Sequence, residues 1–426
     1  MRVLLLMASR TYRANAFLEA ARRLEVDVSV GSDQQQVLSG FLPGSTLTLD
    51  FRDLQGATWE IVKFAERHPL HAVVSVEDDA TVLAAAASAA LSLLGNPVEP
   101  VAATRNKHRL RELLAAAGVP SPRYRLLSID DDPEEVAGGV SFPCVVKPLA
   151  LSASRGVIRA DDEAQFAAAF RRLVAILRQP DVVAAGGEEA RRLLVETFVP
   201  GPEVALEGLL TDGELRVLAI FDKPDPLEGP YFEETIYVTP SRLPIAAQGE
   251  VAACAAAAAG ALRLREGPVH VELRLNDEGP WVIEIAARSI GGLCSRALRF
   301  GDGVSLEELI LRHALGMETE SLEREGRSAG VMMIPIPAAG YLWEVRGQEE
   351  AMGVSGVEDV VISVPPGGEV VPLPEGTRYL GFIFARSGTP ERVEAALRQA
   401  HRRLEFIIGP MEGGSGPWTR RPSSRR

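Results

Sequence analysis

The chain has 426 residues, 46% of them hydrophobic, and its 58 acidic and 45 basic side chains give a formal net charge of −13. This length is too great for one ordinary core and predicts two to four domains. The acidic balance disfavours nucleic acid and anionic membranes as partners, because both attract a basic surface. A nucleotide ligand stays compatible with this charge, since a few local cations are enough to bind it.

The cysteines and the N-terminal sequence exclude further classes of protein. Cys144, Cys254 and Cys294 are scattered without paired spacing, so neither a disulfide framework nor a zinc site is predicted. The N-terminal apolar run is too short for a signal peptide, and polar residues follow it at once. No segment is expected to reach transmembrane length, and we expect the protein to be cytoplasmic.

Residues 1–100 alternate apolar strands with helical patterns. The predicted strands are RVLLLMA (2–8), VDVSVGS and HAVVSVEDD (71–79), and the predicted helices lie near 14–24 and 56–67. Such alternation indicates an α/β domain with a doubly wound parallel sheet. Its ligand crevice should lie at the carboxyl ends of the strands, near 9–13 and 77–81. No GxGxxG motif follows the first strand, so a dinucleotide site is not predicted.

Residues 101–318 form the second predicted domain, which begins at a single helix enclosed by prolines at 97–122. PRYRLLSI, VSFPCVVKP, GVIRA and RRLLVETFV predict a small antiparallel sheet with a helix at 162–178, which together form a small lobe over about 123–195. Further strands are predicted at 203–211, 214–221, 268–275 and 280–286, and further helices at 249–263 and 305–315.

The C-terminal part begins after an acidic, polar linker at 318–328. Residues 325–409 again alternate strand and helix and predict a small α/β cap domain. The tail, 410–426, lacks apolar periodicity and is expected to be disordered.

Only four of the 45 basic residues are lysines: Lys63, Lys107, Lys147 and Lys223. A lysine ammonium reaches a single phosphate oxygen as a point charge, which the planar guanidinium does less well. Lys107 opens a helix, Lys147 ends the strand FPCVVKP, and Lys223 follows the strand LRVLAIF. We predict that these three handle phosphate; chance survival of a few lysines in an arginine-rich chain is the alternative.

Two loops could hold the rest of a nucleotide. In SASRGV (152–157) small residues let backbone N–H groups approach a polyphosphate, which makes Ser152, Ser154 and Gly156 candidates. In LLVETFVPGPE, the backbone from Glu196 to Val199 could read an adenine edge, and Glu203 could accept from ribose hydroxyls. An ordinary turn and an ordinary hairpin are the alternatives.

The segment VHVELRLNDEGPWVIEIAARSIGG (269–292) predicts a hairpin with Glu272 and Glu284 nearly opposite each other. Two buried carboxylates repel, so the pair predicts a bound cation, and hard oxygen ligands favour Mg²⁺ or Mn²⁺. A satisfied core pair is the alternative. Arg288 suits a carboxylate or phosphoryl group. His270 shares the face of Glu272 and either contacts substrate or packs in the strand.

These motifs, in this order, resemble the ATP-grasp ligases over roughly 1–320. The resemblance implies two α+β lobes that clasp ATP, with Lys107 and Lys147 on its phosphates, SASRGV as a lid, Glu196 and Val199 at the base and Glu203 at the ribose. It also implies that Glu272 and Glu284 hold magnesium. The family commonly has Glu-x-Asn-x-Arg at the second carboxylate, whereas Ala286 replaces the asparagine here. A second magnesium ion would therefore lack one ligand.

The domain order and the segment VMMIPIPAAGYL are similar to carboxylate–amine ligases that include the L-amino-acid ligases. This implies that a small-molecule carboxylate and ATP form an acyl phosphate, which an amine converts to an amide with release of ADP and phosphate. Arg288 would stabilise the acyl phosphate, Lys223 would lie near the transferred phosphoryl group, and His270 would contact substrate or act as a base. A homodimer is expected from the resemblance alone. A bicarbonate-using ATP-grasp carboxylase and a non-catalytic ATP-binding protein are the alternatives.

Overall fold

The computed structural model describes residues 1–9, 11–34, 45–319 and 321–410, so the predicted disordered tail lies outside it except for residue 410. The helices in these ranges are α1 Ala14–Arg23, α2 Leu54–Ala65, α3 Thr81–Ala90, α4 Val98–Arg105, α5 Lys107–Ala116, α6 Pro133–Ala137, α7 Glu163–Leu177, α8 Pro180–Gly186, α9 Ile245–Leu262, α10 Leu306–Ala314, α11 Gln348–Met352 and α12 Pro390–His401.

The strands in the same ranges are β1 Arg2–Leu6, β2 Asp27–Ser32, β3 Thr46–Thr48, β4 Ala72–Ser75, β5 Tyr124–Ser128, β6 Cys144–Pro148, β7 Ile158–Ala160, β8 Arg192–Thr197, β9 Glu203–Thr211, β10 Glu214–Lys223, β11 Ile236–Thr239, β12 Gly267–Asn276, β13 Gly279–Ala286, β14 Arg299–Phe300, β15 Val304–Ser305, β16 Ser328–Ile334, β17 Gly340–Arg346, β18 Val357–Ile362, β19 Gly368–Val370, β20 Gly381–Ser387 and β21 Glu405–Gly409.

The N-terminal domain is the predicted parallel α/β unit, with sheet order β3-β2-β1-β4. Strand β1 is apolar on both faces because Leu4 and Leu6 pack on one side and Val3 and Leu5 on the other. The hydroxyl of Thr11 donates to Glu77 at 2.6 Å, so the predicted crevice segments do lie together. The three-residue β3 was not predicted, since its sequence is too short to show a period.

The small lobe is the predicted antiparallel sheet, in the order β5-β8-β6-β7. Helix α7 covers it with Phe166, Phe170 and Leu173. Asp162 caps this helix by accepting a hydrogen bond from the Gln165 amide at 2.8 Å.

The predicted single helix within 97–122 is wrong: the chain forms α4 and α5 instead. Asn106 lies between them with φ −122° and ψ 104°, an extended conformation that ends the first helix. Its side chain accepts from the Arg109 amide at 3.0 Å and so starts the second. The break sets Lys107 at the first residue of α5.

The large sheet has eight strands in the order β13-β12-β9-β10-β11-β16-β20-β18. Helices α5 and α9 contribute to the core on one face, and α10 with the N-terminal domain contributes to the core on the other. Strands β16, β20 and β18 come from the C-terminal part, so the sheet runs continuously across the predicted boundary near 318–325. Only β17, β19 and β21 form a separate three-stranded sheet there.

Among the described residues, α9 is long and apolar enough by composition to cross a membrane. The expectation that no segment reaches that length is therefore wrong by this criterion. In the fold, Val251, Ala255 and Ala258 of this helix are buried in the core that includes Val269 and Ile285 of the large sheet.

Candidate functional site

The main cleft lies between the small lobe and the β9-β12-β13 part of the large sheet, and the space in it, open solvent included, is about 710 Å³. Nine of the predicted site residues line it: Lys107, Lys147, Ser152, Ser154, Glu196, Val199, Glu203, Glu272 and Glu284. The other four, Gly156, Lys223, His270 and Arg288, lie around it.

The two lysines that line the cleft are held in place by protein oxygens. The Lys107 ammonium donates to the Leu151 carbonyl at 2.8 Å and lies 3.7 Å from the Glu284 carboxylate. The Lys147 ammonium contacts Glu196 at 2.5 Å. Burial lowers the pKa of Lys147 from 10.5 to about 8, although Glu196 acts in the opposite direction. Both cations lie where an anionic ligand would meet them.

The lid loop (152–157) follows strand β6 and has a strained backbone. Ala153 and Ser154 have φ of 54° and 53°, a left-handed conformation that is costly for residues with a side chain. Gly156 has φ 75°, and a Cβ there would lie 2.7 Å from Leu173. Its amide donates to the Pro374 carbonyl at 2.8 Å. This hydrogen bond differs from the predicted contact of that amide with phosphate.

The predicted base-binding segment carries two contacts that were not predicted from the sequence. The Glu196 carboxylate accepts from Arg111 at 2.8 and 3.2 Å as well as from Lys147. The Arg274 guanidinium donates to the Val199 carbonyl at 2.9 Å. Arg274 shares the polar face of β12 with His270 and Glu272, and this was the available signal, whereas Arg111 lies in the charged stretch KHRLRE and shows none.

Beside this segment, the Phe198 ring stacks with Phe232 at a centroid distance of 6.4 Å. Glu203 is buried, and its oxygens accept from Lys223 at 2.7 Å and from Arg274 at 2.9 Å. To accept a hydrogen bond from a ribose hydroxyl, as predicted, Glu203 would have to use the carboxylate lone pairs that Lys223 and Arg274 leave free.

The prediction that Glu272 and Glu284 face each other is confirmed, since they are direct partners in the β12–β13 pairing. The register shifts just beyond them, because Ile283 is an extra residue on β13 between two paired positions. The carbonyl of Ile283 leaves the ladder and accepts from Arg111 at 2.6 Å. The bulge thereby joins the carboxylate strand to the residues that contact Glu196.

Each of these two carboxylates has a nearby cation from the protein. Glu272 lies 3.2 Å from Lys223 and 3.4 Å from the Nε2 atom of His270. Burial alone would raise the pKa of Glu272, but Lys223 and His270 lower it overall. Burial alone would also raise the pKa of Glu284, but the pKa is lowered overall, and Lys107 is the main cause. Both groups are therefore carboxylates at neutral pH.

Lys223 lies inside the carboxylate cluster (Glu203, Glu234 and Glu272). Its Nζ atom is 2.7, 2.5 and 3.2 Å from the three carboxylates, and the lysine is only 7% exposed. Lys223 donates hydrogen bonds to Glu203 and Glu234, and its contact with Glu272 is an ion pair. Its predicted place near the transferred phosphoryl group stays a prediction.

Arg288 and His270 lie next to the carboxylates. The Arg288 guanidinium contacts Asp78 at 2.8 Å and the Ser289 carbonyl at 2.9 Å. Asp78 belongs to the predicted N-terminal crevice, so the N-terminal domain holds this arginine. His270 is buried, and Glu207 raises its pKa to about 9 despite the opposing effect of burial.

The C-terminal part holds the small lobe by a second contact beside the lid loop. Arg172 of α7 makes a two-pronged ion pair with Glu375, at 2.7 and 2.9 Å, one residue after the Pro374 carbonyl that binds Gly156. Arg172 also contacts the hydroxyl of Tyr231. These contacts connect the lid loop to the C-terminal part.

Glu375→Gln is expected to raise the dissociation constant for ATP by up to about fivefold, because an exposed ion pair contributes about 0.2–1 kcal/mol. Nucleotide titration would measure it. Arg171→Gln is the matched control, since the neighbouring Arg171 pairs with Glu134 inside the small lobe. An equal change in both variants would contradict a specific role for the C-terminal contact.

Sequence models of three families match the chain in succession. The ATP-grasp N-terminal domain matches residues 18–95, the ATP-grasp domain matches residues 140–297, and the L-amino acid ligase C-terminal domain 2 matches residues 332–409. The matches leave residues 96–139 and 298–331 between them and follow the order of the domains described above.

Two relatives of known name support the same grouping. Dapdiamide A synthase of Enterobacter agglomerans is 27% identical over 70% of this chain and 71% of its own length. Alanine–anticapsin ligase of Bacillus subtilis (strain 168) is 28% identical over 59% of this chain and 55% of its own length. The chain thus spans about half the length of the second relative.

A solved structure resembles this chain over a longer stretch than either of these relatives. The crystal structure of an L-amino acid ligase from Bacillus licheniformis covers 96% of this chain and 99% of its own, with 27% identity and a TM-score of 0.81. The chain carries an ATP-grasp domain and resembles the L-amino acid ligases over nearly its whole length.

Proposed function

We propose that the protein is an ADP-forming ligase that joins the carboxylate of an amino-acid-like substrate to an amine. The observation that carries this proposal is the main cleft, in which Lys107 and Lys147 lie across from the opposed carboxylates Glu272 and Glu284. Phosphoryl transfer needs both features, since cations must meet the phosphates and carboxylates must hold a divalent ion. The names of the relatives support amino-acid-like substrates.

The charges around the cleft suit a divalent cation. Five carboxylates line it, against the three cations Lys107, Lys147 and Arg274. Their oxygens are the hard ligands that Mg²⁺ and Mn²⁺ accept. Glu272 and Glu284 would hold the ion, which when bound would neutralise charge on the transferring phosphoryl group. The ion that we propose for this site is magnesium rather than manganese.

The first step forms a bond between a substrate carboxylate oxygen and the γ-phosphorus of ATP and breaks the bond from that phosphorus to the leaving ADP oxygen. Lys107 and Lys147 would bind phosphate oxygens and spread their negative charge. Lys147 then exchanges part of its contact with Glu196 for the ligand. Lys223 would stay with its three carboxylates and offset part of their negative charge.

The second step is attack of a neutral amine on the acyl phosphate carbonyl. It forms the C–N bond of the amide, breaks the C–O bond to phosphate, and releases phosphate together with one proton from the amine. Arg288 would bind the acyl phosphate; this role is supported by its guanidinium, which Asp78 and the Ser289 carbonyl hold near Glu284. Most of the rate enhancement would come from positioning and charge, as is usual for this reaction class.

The decisive experiment measures ADP release by the purified protein with Mg²⁺-ATP and pooled amino acids, with product masses read in parallel. We expect ADP together with a new mass equal to two components less one water. ADP release that requires bicarbonate instead of an amine would favour the carboxylase. Nucleotide binding with no ADP release under any condition would favour a non-catalytic protein.

A further inference from the structure

We propose that Glu207 is a positioning residue that orients His270, and through it the carboxylate Glu272, while also holding the segment that carries Arg288. The inference rests on the proposed function, because it assigns Glu272 to the metal. Glu207 lies on β9, next to β12 in the middle of the large sheet, and is 1% exposed. It was not among the residues predicted from the sequence.

One oxygen of Glu207 fixes the histidine ring. Glu207 and His270 are direct partners in the β9–β12 pairing, and Oε1 of the glutamate contacts Nδ1 of the imidazole. The other ring nitrogen, Nε2, lies 3.4 Å from Oε1 of Glu272. A carboxylate on each ring nitrogen prevents the ring from turning. His270 therefore presents one donor to Glu272 in one orientation.

The second oxygen of Glu207 fixes the chain after β13. Oε2 accepts from the Ile290 amide at 3.0 Å, two residues beyond Arg288. The carbonyl of Ser289, which lies between them, accepts from the Arg288 guanidinium at 2.9 Å. One side chain thus sets the position of the arginine segment as well as the orientation of the histidine.

The chemistry argues that this arrangement is more than core packing. Burying a carboxylate costs several kcal/mol, and apolar residues of similar size are often as stable in such positions. A carboxylate–histidine–carboxylate chain instead orients a metal ligand from outside the coordination sphere. Loss of such an outer partner lowers metal affinity by about 10- to 100-fold.

The test uses the full chain with a non-hydrolysable ATP analogue and measures Mn²⁺ affinity from the paramagnetic resonance signal of the free ion. Glu207→Gln keeps the side-chain shape, and we expect its Mn²⁺ dissociation constant to rise by about 10- to 100-fold. Nucleotide affinity without metal should stay within about twofold of the parent protein. Glu308→Gln, at a buried glutamate on α10 that pairs with Arg312, is the matched control.

A double-variant cycle separates action through His270 from a general loss of structure. If Glu207 acts through the histidine, His270→Asn should cost as much Mn²⁺ affinity as Glu207→Gln, and the double variant no more than either. Additive losses, or unchanged Mn²⁺ affinity in Glu207→Gln, would overturn the inference. If Glu207→Gln does not fold, His270→Asn alone decides, and unchanged affinity again overturns it.

The same measurement distinguishes failure of this inference from failure of the proposed function. A parent protein that neither binds Mn²⁺ with the analogue nor releases ADP would refute the proposed function. A parent protein that does both, while Glu207→Gln matches it in Mn²⁺ affinity, would refute the role of Glu207 alone.

Discussion

Glu284→Gln is expected to lower the rate of ADP release by about two to three orders of magnitude, the usual cost of losing one charge-stabilising group from such a site. Glutamine keeps the volume of the side chain but removes the negative charge that faces Glu272 and Lys107. The measurement is ADP release at saturating ATP and substrate, beside the thermal unfolding midpoint.

Glu278→Gln is the matched control for this variant, because Glu278 lies exposed in the turn of the same hairpin. We expect it to retain the parent rate. Normal turnover by Glu284→Gln would exclude Glu284 as a metal ligand. Glu284→Ala should behave like the glutamine variant, with a larger effect on folding.

Lys147→Met is expected to weaken ATP binding by about 10- to 100-fold, because a charge-assisted hydrogen bond to phosphate contributes roughly 1.5–3 kcal/mol. Lys147 is buried at the end of β6, and its ammonium contacts only Glu196 among the charged groups within ion-pair distance in the described residues. Titration with ATP or a fluorescent analogue gives the dissociation constant. Unchanged affinity would remove Lys147 from the phosphate site.

The lowered pKa of Lys147 gives this prediction a pH dependence with a defined sign. With a pKa of about 8, the side chain is protonated below that value and loses its charge above it. ATP affinity should therefore be nearly constant from pH 6.5 to about pH 7.5 and then fall by up to about tenfold per pH unit above pH 8.

Variants at the same position isolate this effect from other titrating groups. Lys147→Arg keeps its charge over this range, so its ATP affinity should lose most of the dependence above pH 8. Lys147→Met reports what the remaining groups contribute. A fall in affinity as steep in Lys147→Arg as in the parent protein would assign the titration to another residue.

Local patterns were sufficient to predict the elements that position the site. Apolar runs followed by helical periods indicated the parallel N-terminal sheet, and short alternating strands indicated the small lobe. Counting residues outward from the hairpin turn at Asp277–Glu278 predicted that Glu272 and Glu284 are nearly opposite, and the bulge at Ile283 makes them direct partners. These features depend on neighbours in sequence, which a single chain displays directly.

The missed features all depend on pairing between distant segments. Nothing in the local sequence indicates that β16 joins β11, which places C-terminal strands in the large sheet. Glu207 has the appearance of an isolated charge in an apolar strand, and Arg111 and Arg274 have the appearance of ordinary surface charges, until their partners are known. The same holds for Lys223, whose three carboxylate partners lie on β9, on β12 and in the segment between β10 and β11.

The bulge at Ile283 has a consequence for transplanting this site into another protein. From the turn outward, residues of β12 and β13 pair so that Leu273 faces Val282, and a regular ladder would next place Glu272 opposite Ile283. Glu284 would then point to the other face of the sheet. A hairpin with a regular, unbulged ladder that received the two glutamates at these positions would place one carboxylate on each face and would have no cation site.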